Sequence, residues 1–172
     1  GKSAMARALH FPCITKIIDL TRELDRTMAS TLTFNLADLF ESVADAVPDR
    51  TAIVSLQRRL SFRELDERAT RLANCWRDMG IGRGEHIGLQ LYNGTEYLEG
   101  MLAAYKLRAV PVNINYHYVA GELQYLYNDA DLVAVVTHQA FAPAVAAVAG
   151  LAGKLRHVFC VADESGAAVD DV

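Results

Sequence analysis

From residue 59 onward the apolar positions of the chain alternate between a helical period and a strand period. Leu65, Ala69, Leu72, Ala73, Trp76 and Met79 recur at three- and four-residue spacing, which lays an apolar stripe along one side of a helix and leaves Arg63, Asp66, Glu67 and Arg71 elsewhere. Ser61 followed three residues later by Glu64 is a capping box, in which hydroxyl and carboxylate satisfy backbone N–H groups that have no partner at a helix start. Gly80 closes the helix, because a residue without Cβ enters the left-handed conformation of a helix C-terminus freely. The pattern predicts a helix over 62–79.

The same two periods then repeat in order. Residues 86–91 read as a strand; Asn93, with Glu96 three residues on, predicts a capped helix over 95–107; and residues 110–114 read as a second strand. A helix over 120–128, the strongly β-forming run 132–137, a helix over 139–149 and a strand over 157–161 complete the series. Strands separated by single helices pair in parallel, so the expected fold is α/β, a doubly wound, mostly parallel sheet with helices on both faces. Upstream, residues 51–56 and 59–60 flank Gln57 and Arg58 as a short hairpin, and Leu36, Leu39, Phe40, Val43 and Ala44 form the apolar face of a helix capped by Asn35 and stopped before Pro48.

Composition narrows the function classes. Hydrophobic residues at 52% and charged residues at 22% are those of a globular domain. A net charge of −4 offers no basic field for nucleic acid, and no apolar run reaches the roughly 18 residues of a transmembrane helix. Cys13, Cys75 and Cys160 are odd in number and widely spaced, which argues against a disulfide framework and for a reducing, cytoplasmic location.

Few residues offer chemistry. Gly80-Ile-Gly82-Arg-Gly84 has the glycines of a dinucleotide loop but lies after a helix and before a strand, the reverse of that motif, so it reads as a turn. Gly1-Lys2-Ser3 matches the tail of a phosphate loop without the glycine and strand that must precede it. His10, His86, His117, His138 and His157 are scattered, with no i, i+4 pair to hold a metal. His117 lies among Tyr116, Tyr118, Tyr125 and Tyr127, a group that packs beside a strand end or lines a pocket. Asp170 and Asp171 read as a solvated end. No Ser, His and acid grouping suggests a nucleophile, and the sequence nominates no catalytic, cofactor-binding or metal-ligating residue.

A helix ending in Pro48-Asp49, Leu60-Ser-Phe-Arg-Glu-Leu65, Met79-Gly-Ile-Gly-Arg-Gly-Glu-His-Ile87, Leu91-Tyr-Asn93 and Pro111-Val-Asn-Ile-Asn115 together resemble the N-terminal subdomain of the adenylate-forming (AMP-binding) acyl-CoA synthetases, over about residues 34–161. Val112-Asn-Ile-Asn-Tyr-His-Tyr-Val119, then Glu122-Leu-Gln-Tyr-Leu126 and Asp129-Ala130, are similar to a branch of bacterial fatty-acyl and steroid-side-chain CoA ligases. The resemblance implies ATP, Mg2+ and CoA as cofactors of the complete enzyme and a carboxylic acid as its substrate. Two positions depart from the family pattern: Glu85 replaces the acidic partner of a Gly-Asp turn, and Arg108 stands where many relatives have Gly, at a helix end that favours a cation. Nothing in the chain matches the family's phosphate loop, its magnesium-holding Thr-Glu, its ribose-binding Asp or its adenylation Lys, all of which come later in the family.

Two segments follow. Residues 1–33 form an N-terminal extension, with Ile14, Ile17, Ile18, Thr21 and Leu24 at helical spacing and Met28, or else Met5, as a natural start; residues 34–172 form a partial AMP-binding subdomain. The expected function is that of the N-terminal part of an ATP-dependent acyl-CoA ligase, inactive as this chain alone and prone to homo-oligomerise. The alternatives are a catalytically silent binding or dimerisation module and an unrelated doubly wound domain that binds a small ligand at its strand ends.

Overall fold

In the computed structural model the described residues are 34–55 and 58–162. The expected extension, the hairpin tip at Gln57, Cys13, His10, the Gly1-Lys2-Ser3 match and the Asp170-Asp171 end lie outside them.

The elements run α1 (Leu36–Ala46), β1 (Thr51–Val54), β2 (Arg59–Ser61), α2 (Phe62–Asp78), β3 (His86–Gln90), α3 (Thr95–Lys106), β4 (Val110–Asn113), α4 (Ala120–Asp129), β5 (Leu132–His138), a 3-10 turn (Gln139–Phe141), α5 (Ala142–Ala149) and β6 (His157–Val161). β1 and β2 pair antiparallel as the expected hairpin, apart from a parallel four-stranded sheet ordered β4-β3-β5-β6. The α/β doubly wound fold is the one the alternation predicts.

Helices cover both faces of the sheet, and each face has its own core. On one side Ala73 and Trp76 of α2 and Ala103 and Ala104 of α3 pack on Ile87, Leu89, Val133 and Val136. On the other, Leu123 and Tyr127 of α4 and Val145 and Val148 of α5 pack on Ile114, Leu132 and Val135. β5 lies between β3 and β6 under both layers and is buried along all 7 residues, which is why its sequence is a continuous apolar run rather than an alternating one.

The capping box forms as read: Ser61 Oγ accepts from Glu64 N at 3.2 Å, and Glu64 Oε2 accepts from Ser61 N at 2.7 Å. At the other end of α2, Gly80 has φ 81°, Gly80 N donates to Arg77 O, and Ile81 N donates to Trp76 O, the paired bonds of a Schellman motif. Gly80 to Gly84 is therefore a helix-to-strand turn.

Four expectations need correction. Asn93 does not cap α3; the cap is Gly94, one residue on, and makes no side-chain cap hydrogen bond. Glu96 satisfies the first turn instead, accepting from its own backbone N–H and from the Thr95 hydroxyl, and a Cβ at residue 94 would lie 3.1 Å from its carboxylate. The helix expected over 139–149 divides into a 3-10 turn and α5, because Pro143 has no N–H to donate and takes a place in the first α-helical turn. The apolar face expected for α1 is split: Leu36, Leu39 and Val43 are exposed, whereas Ala44 is buried and Phe40 packs on Phe62 with ring centres 5.9 Å apart. Arg108 adopts φ 58°, so the family's Gly at this position answers a left-handed backbone requirement as well as a helix end.

Candidate functional site

The strand order makes one place on this sheet distinctive. The chain leaves β3 for β4 on one side, then crosses back to place β5 on the other side of β3, so the connections diverge between β3 and β5. In open α/β sheets the crevice at such a switch point, beyond the strand C-termini, is where ligands bind.

The side chains gathered there are aromatic. Tyr92, two residues past β3, lies 4.7 Å from Phe141, 5.1 Å from Tyr116 and 5.4 Å from His138, ring centre to ring centre. Tyr116 and Phe141 stack at 5.6 Å with 16° between their planes, and His117 lies 4.4 Å from Tyr116. Tyr92 N donates to His138 Nδ1 at 3.0 Å, tying the ends of β3 and β5 together.

Charge lies beside the rings. Burial would push the Glu96 carboxyl up, but its backbone and Thr95 hydrogen bonds, Arg58 at 3.6 Å and His138 outweigh that and hold it below the usual range. Gln90, the last residue of β3, is fully buried, and among the described residues neither of its amide atoms has a hydrogen-bond partner. A cleft of about 740 Å³ opens nearby between the hairpin and α3, lined by Ile53, Val54, Asn93, Tyr97 and Leu98.

The Tyr group expected around His117 is divided by the fold. Tyr116 and His117 reach the switch point, Tyr125 is exposed on α4, and Tyr127 is buried in the core, where burial raises its hydroxyl pKa. Tyr92, His138 and Phe141 complete the cluster and were missed by the sequence reading; their signal was position, each lying at or just past the end of a strand in a doubly wound order. Among the described residues no three His, Cys, Asp or Glu side chains come together as metal ligands. Cys75 is a free, exposed thiol, and among the described residues no helix is long and apolar enough to cross a membrane.

A doubly wound sheet with a switch-point crevice defines a class of small-ligand-binding α/β domains. Residues 40–171 match the model of the AMP-binding enzyme family, and the chain belongs to that family. It is 37% identical over 132 residues to a 3-oxocholest-4-en-26-oate–CoA ligase of Rhodococcus rhodochrous, covering 77% of this chain and 24% of that protein. It is 37% identical over 150 residues to the medium-chain acyl-CoA ligase Mig of Mycobacterium avium, covering 80% of this chain and 27% of that protein. The N-terminal domain of FACL13 from Mycobacterium tuberculosis superposes with a TM-score of 0.71 at 24% identity, over 81% of this chain and 38% of that one, a likeness of fold. The chain thus spans about a quarter of the length of these ligases and matches their N-terminal subdomain.

Proposed function

We propose that this chain supplies the N-terminal part of an ATP-dependent acyl-CoA ligase that converts a fatty or steroid-side-chain acid, ATP and CoA into acyl-CoA, AMP and pyrophosphate. The observation that carries the reading is 37% identity, across most of the chain, to a steroid-acid CoA ligase, supported by a similar identity to a medium-chain ligase. Residues 34–172 act as the partial AMP-binding subdomain and residues 1–33 as an extension ahead of it.

Adenylate formation needs a carboxylate held in line with the α-phosphate, and donors placed where charge develops on phosphorus. Phosphoryl-type transfer draws nearly all its acceleration from that positioning and electrostatics. Several cations of the described residues are committed to ion pairs, Arg68 with Glu99, Lys106 with Glu41 and Asp66, Arg108 with Asp38 and Arg156 with Glu85, and no Gly-rich loop follows a strand to cradle a triphosphate. Residues 1–172 alone therefore do not form the acyl-adenylate. The test is pyrophosphate release by the purified chain with ATP, magnesium, CoA and a panel of fatty and steroid acids. No acid-dependent release is expected, and release that survives removal of any full-length ligase overturns the claim of inactivity. The same assay on a chain that carries these residues joined to a phosphate loop and adenylation Lys of the family is expected to show acid-dependent release, and its absence across the panel counts against the ligase reading.

A further inference from the structure

We draw no further inference here: the strongest candidate, the apolar cleft of about 740 Å³ between the hairpin and α3 lined by Ile53, Val54, Tyr97 and Leu98, is an open groove with nothing in the structure to show what covers it.

Discussion

Arg108 donates from Nη2 to Asp38 Oδ1 at 2.7 Å while its own backbone is held at φ 58°. Arg108 N bonds to Tyr105 O and Ala109 N to Ala104 O, so this is a second Schellman motif with Arg in the place that favours Gly. The guanidinium is the largest influence on Asp38: its hydrogen bond, against the opposing effect of burial, and the backbone N–H of Asn35 hold that carboxyl below its usual range.

The two roles of Arg108 have opposite signs for stability. A left-handed non-Gly residue carries roughly 1–2 kcal/mol of backbone strain, whereas a partly exposed ion pair such as this one contributes little, typically under about 1 kcal/mol. Arg108→Gly is expected to leave stability unchanged or slightly raised, and Arg108→Ala, which keeps the strain and loses the pair, to lower it. Urea midpoints ordered Gly at or above Arg, with Ala lowest, are the expected result; Ala at or above wild type would show that the Asp38 pair contributes nothing.

Trp76 is fully buried against Phe159, with ring centres 5.8 Å apart, and its Nε1 has no hydrogen-bond partner among the described residues. Its contribution is packing. Trp76→Ala is expected to cost about 3–5 kcal/mol, a large part of a domain's margin, and to leave the chain unfolded. Trp76→Phe leaves no polar group stranded and is expected to fold. As the only tryptophan, Trp76 should emit in the blue range of a buried indole, and red-shifted native emission would contradict this packing.

Gly88 marks the closest approach of side chains to the sheet. A Cβ there would fall 2.5 Å from Ile114 Cδ1 and 2.9 Å from Leu132 Cδ1. Overpacking of this kind costs about 1–3 kcal/mol, and Gly88→Ala is expected to lie in that range. Ile114→Val removes the nearer methyl, so the double variant should recover part of the loss, a positive coupling in a double-mutant cycle. Strict additivity would place the strain elsewhere.

How much of this was legible in the sequence depends on the range over which each feature is determined. Ser61 with Glu64, Gly80 and the run from Leu132 to Thr137 act within a turn or a strand, and the structure places them as read. The cap at Gly94 was misplaced by one residue because Glu96 serves both frames and only backbone geometry selects between them. The face of α1 followed the apolar period, but the cations at the end of α3 draw its carboxylates inward and turn its leucines out. The switch-point cluster joins residues 46 apart at its central hydrogen bond, which no local period encodes.

Lys106 couples α1 and α2 to α3 and gives a pH test. Burial lowers the affinity of its amine for a proton, but the carboxylates of Asp66 and Glu41 more than reverse this and raise its pKa above the usual value. A cation whose pKa is raised by folding stabilises fully below its unfolded pKa, and the contribution is lost as pH rises through the folded value. Wild type should therefore hold the Lys106 contribution through neutral pH and shed it above about pH 10.4, the ordinary lysine value. Lys106→Met should melt lower at pH 7 and show a smaller further fall at alkaline pH. Parallel melting curves for the two proteins across that range would mean that Lys106 is not coupled to its carboxylates.

The outward face of α1 bears on how the chain behaves alone. Leu36, Leu39 and Val43 are 52%, 49% and 37% exposed, whereas Asp38 and Glu41 on the same helix are engaged by Arg108 and Lys106. An amphipathic helix normally does the reverse, and contiguous exposed apolar surface of several hundred Å² marks an interaction surface. Burying that surface against any apolar partner is favourable by roughly 25 cal/mol per Å² before the costs of association. The chain is expected to self-associate at tens of micromolar, and Leu36→Ser with Leu39→Ser to reduce association without lowering the melting temperature, because neither side chain is in the core. Light scattering of both proteins over a concentration series tests this. A wild type that stays monomeric with a sharp cooperative melt, or a double variant that associates as strongly as wild type, would show that α1 is not the surface responsible.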